Sequence, residues 1–466
     1  MKLIIKTLAA AAVALSLSGA AALSGCTVSL GEDGRDGQDV SIYEIWEATK
    51  AETGDPDLTF AEFISQYLSY DSSELGQMTS MQAAINRSLL SSVQVTATFE
   101  ISTGTNPFFP FLEETNQAVS AGSGVIIDID REAGDMYVVT NAHVVFNNSS
   151  SEGNKFSSDV DIYLYGSEYS IYTQNGSSYI DDTNAIPARI IGASLSYDIA
   201  VLQVQDSATV RRSSAVAAEW CTDENVAVGL PVYAIGNAAA DGISATNGIV
   251  CVDSEDIVLD MYDTEQYTAD DFTYRTIRTS VPIYSGNSGG GLFNTDGMLV
   301  GIINSKSYVA GDGEYSDNIS NALPAANMRR AAQNIIDRYE STGEPCYSLY
   351  RATLGVTVGS VSGKAYMNNQ TNLVEIVERV EVQDISQDSV ARGILKDGDC
   401  ITAIKICSRE GTVREEVSVT RLYNISEVLL SAREGDTVTL TVERASEQNA
   451  LLCTLPVTSD CMQSYI

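Results

Sequence analysis

Apolar residues are distributed along this chain in three textures. Between residues 91 and 335 they come in short runs rich in Val, Ile and Tyr, at 93–99, 124–129, 136–140, 160–165, 199–204, 231–235 and 299–303, separated by Gly, Asn, Asp and Ser clusters. Short β-branched runs broken by turn formers predict many strands in an all-β barrel or sandwich. The stretch 146–185 is polar and Tyr-rich and is expected to include a long loop. At 325–341 the period changes. Met328, Ala331, Ile335 and Ile336 fall along one helical face, and Thr342-Gly343-Glu344-Pro345 stops the helix. From 350 onward a mixed α/β pattern predicts strands at 353–358, 374–380, 400–406 and 438–442 and a helix near 425–432.

The first 90 residues read differently. Ile42, Ile45 and Trp46 form one short helical stretch, and Phe60, Phe63, Ile64, Tyr67 and Leu68 another, with Thr59 and Glu62 spaced as a capping box. A further helix is expected at 78–90, so 41–90 is a helical segment, read as a stalk cap or spacer in preference to a binding module. Residues 26–40 are rich in Gly and Asp and read as a flexible tether. In 1–25, Lys2 and Lys6 precede an uncharged run of Ala and Leu that ends at Leu23-Ser24-Gly25-Cys26. A charged start, an apolar middle and a small-residue site are the marks of a secretory signal. The run is short for a membrane span, which needs about 20 apolar residues.

Composition narrows the function. The chain has 466 residues, 44% of them hydrophobic, enough for a sizeable core. Lys and Arg number 27 against 62 Asp and Glu, a net charge of -35. That charge repels phosphate backbones, and nucleic acid is excluded as a partner. The single histidine, His143, rules out a His-rich metal site, and no metal or other cofactor is expected. The eight cysteines include no C-x-x-C pair, and the seven beyond Cys26 are read as mostly structural.

Three segments carry chemistry. Ser285-Gly286-Asn287-Ser288-Gly289-Gly290-Gly291 places a serine in a Gly-dense turn, where the amides of Gly286 and Ser288 can converge on one point as an oxyanion hole. Tyr137-Val138-Val139-Thr140-Asn141-Ala142-His143 places the only imidazole just past a strand. A serine needs such a base to take its proton. Tyr197-Asp198-Ile199-Ala200-Val201-Leu202 sets an acid against an apolar strand, where it can be buried and orient an imidazole. Singly each is weak. In the order His, Asp, Ser they form one of the known orders of a Ser-His-Asp triad.

With those motifs in place, residues 91–456 resemble the HtrA/DegP-type serine proteases. Gly122-Ser123-Gly124-Val125, Ala234-Ile235-Gly236-Asn237, Asn247-Gly248-Ile249-Val250 and Ala322-Leu323-Pro324 extend the resemblance. It implies a mainly β chain: a two-barrel chymotrypsin-like domain at 91–341, then an α/β PDZ domain at 345–460. It implies His143 as general base, Asp198 as its orienter and Ser288 as nucleophile, with the Gly286 and Ser288 amides on the oxyanion. Asn287 stands where trypsin-like enzymes hold an acid paired with a freed N-terminus, so loop ordering is expected in place of zymogen cleavage. Val281, Pro282, Ile283 and Tyr284 include no Asp. An apolar primary-site preference is therefore expected, with Ile283 as a pocket wall. Thr353-Leu354-Gly355-Val356 resembles a PDZ carboxylate-binding loop, which implies recognition of peptide C-termini. The loop Asn106-Pro107-Phe108-Phe109-Pro110-Phe111 could serve regulation, subunit contact or local packing. Leu23 to Cys26 is similar to a bacterial lipobox, which implies lipid on Cys26 and attachment to a membrane. The expected substrates are unfolded or misfolded exported proteins. A homo-trimer is one assembly the resemblance allows, and a non-catalytic client-binding protein is the alternative reading.

Overall fold

The structure is a computed structural model, and it describes residues 27–29, 39–41, 50, 75–105, 113–174, 177–224, 226–258, 272–308 and 315–466. The expected signal at 1–25, Cys26, most of the tether, all of the helical pair at 41–70 but residues 41 and 50, and the aromatic loop 106–111 lie outside these residues. The chain divides into two units, Met1–Thr79 and Ser80–Ile466. In the first, β1 (Thr27–Ser29) pairs antiparallel with β2 (Asp39–Ser41).

The helix expected before the barrels is α1 (Leu75–Leu89). Ala84 joins the core, and Ser88 shares a buried hydrogen bond of 3.0 Å with the Tyr233 hydroxyl. The strands β3 (Ser92–Thr105), β4 (Glu113–Asp130) and β5 (Asp135–Thr140) follow, then a single turn α2 (Ala142–Val145). Next come β6 (Asp159–Leu164), β7 (Ser170–Gln174), β8 (Ser177–Asp181), β9 (Ile186–Ser194) and β10 (Ile199–Val204). The order β10-β5-β4-β3-β6-β9 closes a barrel. Its interior holds Val93, Val95, Val125, Val138, Ile162, Ile191 and Leu202, all fully or nearly fully buried. The polar stretch expected as a long loop contains the β7–β8 hairpin, whose Ile171↔Ile180 and Tyr172↔Tyr179 pairs suit antiparallel strands.

After α3 (Ala208–Arg212) the second sheet is built from β11 (Glu219–Trp220), β12 (Pro231–Asn237), β13 (Ile243–Val258), β14 (Thr273–Thr279), β15 (Gly291–Asn294), β16 (Met298–Tyr308) and β17 (Tyr315–Pro324). Its order is β11-β16-β15-β12-β13-β14-β17, and the additional β16–β17 pairing closes a second ring. The fold is therefore mainly β, with two barrels in series. Pro324 starts and Gly343, at φ 72°, ends the long helix α4 (Ala325–Thr342), close to the expected 325–341.

The last part is an α/β module with its own core. A small pairing of β18 (Leu349–Ala352) precedes β19 (Val356–Asn368), β20 (Leu373–Ile385), β21 (Cys400–Cys407), β22 (Val413–Ser418), helix α5 (Tyr423–Val428), β23 (Thr437–Glu443), β24 (Leu451–Pro456) and β25 (Met462–Tyr465). The main sheet runs β19-β20-β21-β23-β24, with β22 beside β21, and β25 pairs with β18. The strand expected from 353 begins at Val356, because Gly355 at φ 64° turns the chain just before it. The helix expected near 425–432 ends as an α-helix at Val428 and finishes as a 3₁₀ turn.

The module is tied to the barrels by charge. The Arg330 guanidinium is fully buried and pairs with Glu224, on a barrel loop, and with Glu415, on β22. Arg275 of β14 pairs with Glu427 of α5 and lies 3.8 Å from the Tyr423 ring centroid. Arg421 pairs with Asp253 at 2.6 Å.

Candidate active site

Two adjacent strands of the first barrel bring the base and the acid together. β5 and β10 pair so that Thr140 faces Ala200. Each chain leaves its strand at this edge, toward His143 on one side and Asp198 on the other. Asp198 has no exposed surface, and its φ of 45° lies in the left-handed region, which Asp tolerates better than most residues. Leu195 O accepts the Asp198 N–H at 3.1 Å, and the Asn141 side chain donates to Asp198 O at 3.0 Å. Tyr274, buried on β14, donates its hydroxyl to Leu195 O at 2.7 Å. Burial pushes the Tyr274 phenol far up, and the Asp198 charge adds to this.

The carboxylate grips His143 twice. Its Oδ1 accepts the His143 backbone N–H at 3.0 Å, and its Oδ2 lies 2.9 Å from His143 Nδ1. Such a pairing fixes the ring so that Nε2 is the nitrogen available for proton transfer. A third donor was not legible in the sequence: the Asn304 amide of β16 donates to Asp198 Oδ2. The one signal for it is a carboxamide set directly after the apolar run 299–303.

The Ser288 loop sits between β14 and β15 and is nearly all backbone. Gly286 has φ 97°, and a Cβ there would stand 2.2 Å from Asn237 O. A Cβ on Gly289, at φ 83°, would meet Ser123 O at 2.2 Å. Glycine is therefore required at both positions. Ser285 O accepts the Ala239 N–H at 2.7 Å and Asn287 O accepts the Gly290 N–H at 2.9 Å. Among the described residues no acceptor meets the Gly286 or Ser288 N–H. Two unengaged amides in one turn can stabilise a developing oxyanion. The Ser288 hydroxyl donates to Asn304 O at 3.0 Å. Among the described residues no hydrogen bond joins the Ser288 hydroxyl to His143, so the side chain must turn before the imidazole can take its proton.

Ile283 is 3% exposed and belongs to the second barrel's core with Val281, Ile277 and Ile303. Thr353, Leu354, Gly355 and Val356 belong to the C-terminal module, at the edge of its sheet where β19 begins. Thr353 is pinned by its N–H and hydroxyl to Cys461 O. The Leu354 and Gly355 amides have no acceptor among the described residues. Among the described residues β19 is an edge strand, with β20 as its one neighbour in the sheet. A cavity of about 1020 Å³ opens there, lined by Leu354, Val356, Ile425 and Leu429 of the module and by Tyr274 and Arg275 of the barrel.

Residues 122–302 match the trypsin-like peptidase domain family. The "Serine protease Do-like HtrA" of Lactococcus lactis subsp. lactis is 28% identical over 345 residues, 72% of this chain and 70% of that protein. The "Probable periplasmic serine endoprotease DegP-like" of Brucella suis biovar 1 is 29% identical over 342 residues, which span 72% of this chain and 53% of that protein. A solved structure titled "HtrA-type protease AlgW with decapeptide" aligns with 81% of this chain and 98% of its own, at 22% identity and a TM-score of 0.44. The family match and the relatives support an HtrA/DegP-type trypsin-like serine protease, and the chain is a serine endopeptidase.

Proposed function

We propose that this chain cleaves unfolded or misfolded exported proteins through an acyl-enzyme on Ser288. His143 takes the Ser288 proton, Asp198 holds the imidazole and stabilises its charged form, and the Gly286 and Ser288 amides receive the oxyanion. His143 then returns the proton to the leaving amine, and water repeats the sequence to release the acid. The observation that carries this reading is the 2.9 Å pairing of His143 Nδ1 with a wholly buried Asp198. The chemistry needs no cofactor. Ile283 is offered as a wall of the primary-site pocket.

The C-terminal module serves as a PDZ domain in this reading. A peptide would add to the open edge of β19, with its terminal carboxylate on the Leu354 and Gly355 amides of the Thr353-Leu354-Gly355-Val356 loop, whose Thr353 N–H is already held by Cys461 O. The edge position of β19 and the unengaged Leu354 and Gly355 amides support it. The periplasmic names of DegP-like relatives support an extracytoplasmic site of action. Lipid on Cys26 would hold the chain at a membrane, and a homo-trimer is the assembly to test by size measurement.

The alternative, a non-catalytic client-binding protein, draws on the Ser288 hydroxyl's bond to Asn304 O. Casein cleavage by the purified chain and by Ser288→Ala separates the two. Cleavage that the substitution abolishes supports the protease; equal inertness supports the alternative.

A further inference from the structure

The backbone from Ser285 to Ser288 is held by its carbonyls. Ser285 O accepts the Ala239 N–H at 2.7 Å, Asn287 O the Gly290 N–H at 2.9 Å and Ser288 O the Ser123 N–H at 2.8 Å. Gly286 O accepts the Ser123 hydroxyl at 2.7 Å. In a trans peptide the N–H points opposite the carbonyl of the same plane. Fixing Ser285 O therefore aims the Gly286 N–H, and fixing Asn287 O aims the Ser288 N–H. The planes on the far sides of both residues are fixed by one side chain and one amide of Ser123.

Ser123 is itself immobilised. It is 1% exposed, its Oγ accepts the Asn237 N–H at 2.8 Å and its carbonyl accepts the Thr140 hydroxyl at 2.7 Å. It thus joins β4 and β5 of the first barrel to β12 of the second, directly behind the loop. Gly236 clears space for it, since a Cβ there would stand 2.9 Å from Ser123 Oγ.

Ala239 holds its amide in place by an unfavourable turn. Ala239 and Ala240 have φ of 56° and 59°, so two successive residues with a Cβ occupy the left-handed region. Such a conformation persists only where its surroundings impose it, and it clusters at functional sites. Here the side chain of Asn237 braces the turn by accepting the Gly242 N–H at 3.1 Å and the Gln94 amide at 3.0 Å.

We infer that Ser123 and the left-handed Ala239–Ala240 turn are positioning residues for the oxyanion site, setting the directions of the Gly286 and Ser288 N–H groups without touching substrate. This rests on the proposed role of Ser288 as nucleophile.

The test uses the full chain with Ser123→Ala, Ala239→Val, Ala239→Gly and Ser288→Ala. Each is measured for kcat and KM on an unstructured peptide. Each is also measured for affinity to a peptide aldehyde and to the matching alcohol. Ser288 Oγ adds to the aldehyde carbon, the carbonyl electron pair moves onto oxygen and the serine proton passes to His143; the alcohol cannot add. In Ser123→Ala and Ala239→Val, kcat falls about 10- to 100-fold with KM within about twofold, less than or near the loss of an oxyanion donor itself. Aldehyde affinity falls by the same factor and alcohol affinity stays. The acid limb of the pH profile does not move, because His143 and Asp198 keep their contacts. Ala239→Gly, which keeps the N–H and accepts φ above zero, recovers most of the kcat lost in Ala239→Val. Normal kcat in Ser123→Ala and Ala239→Val overturns the proposal, as does equal loss of aldehyde and alcohol affinity, or Ala239→Gly as impaired as Ala239→Val. A wild type no more active than Ser288→Ala overturns the protease reading and this proposal with it.

Discussion

Asn304→Ala tests how the buried acid is held. The Asp198 carboxylate has no exposed surface, and its described donors are the His143 N–H, His143 Nδ1 and the Asn304 amide. The substitution deletes one donor and leaves Asn304 O, which the Ser288 hydroxyl uses, in the backbone. A hydrogen bond to a charged group contributes about 1.5–3 kcal/mol. If that interaction steadies the carboxylate while the imidazole becomes charged, kcat falls by about 10- to 100-fold at unchanged KM. The fold should tolerate the change, because Asn304 Oδ1 is buried with no partner among the described residues and its removal relieves that cost. Asn304→Asp is the harsher variant. It sets a second carboxylate against Asp198, and two such groups in contact do not both ionise readily. The pair then binds a proton at pH values where Asp198 needs its charge, so the acid limb moves to higher pH as well. Steady-state kinetics across pH, with circular dichroism as a control for folding, measure both. Wild-type kcat in Asn304→Ala at every pH would refute the argument.

Gly286→Ala places a methyl 2.2 Å from Asn237 O at a φ of 97°, so kcat should fall by about 100-fold or more and the thermal midpoint should fall with it; near-normal kcat and midpoint would show that the loop relaxes. Arg330→Met removes a fully buried guanidinium from Glu224 and Glu415 and should cost about 3–5 kcal/mol in denaturant unfolding, as unpaired buried charge does. Burial alone would push the Glu415 carboxyl up, but Arg330 and Arg329 outweigh it and hold it below its usual range. A depressed carboxyl stabilises the fold above its unfolded-state value, near about 4.3, and loses that contribution as pH falls through the folded-state value. Wild-type stability should therefore decline below that pH, and the decline should be shallower in Arg330→Met. Among the cysteines of the described residues, Cys251 and Cys407 are half-buried, and Cys221, Cys346, Cys400, Cys453 and Cys461 are buried as free thiols. A thiol reagent should label the first two in the native protein and the rest only in denaturant. Burial raises the Cys221, Cys400 and Cys453 thiols, which slows them further. Equal labelling of all without denaturant would contradict the packing.

The sequence by itself determined what repeats locally. Alternation and β-branched runs placed the strands around Val93, Val138, Ile199 and Pro231, and a helical stripe ending at Gly343 placed α4, because period and turn chemistry are properties of neighbours along the chain. The Gly-rich turn around Ser288, the lone His143 and the acid Asp198 were legible for the same reason: each is a distinctive residue in a distinctive local setting. The polar stretch that holds β7 and β8 was harder to read, since two strands paired by their backbones need little apolar pattern. The start of β19 shifted to Val356 because Gly355 adopts a positive φ that composition alone does not reveal. What only the tertiary structure decided is everything that acts across distance. Asn304 reaches Asp198 from the other barrel, Ser123 holds the carbonyls of a loop far along the chain, and Ile283 lies in the second barrel's core. Arg330 finds its two carboxylates on separate parts of the fold. None of these pairings has a sequence period. They exist because closing two barrels and packing a third module on them brings remote polar groups into dry space, where each must find a partner.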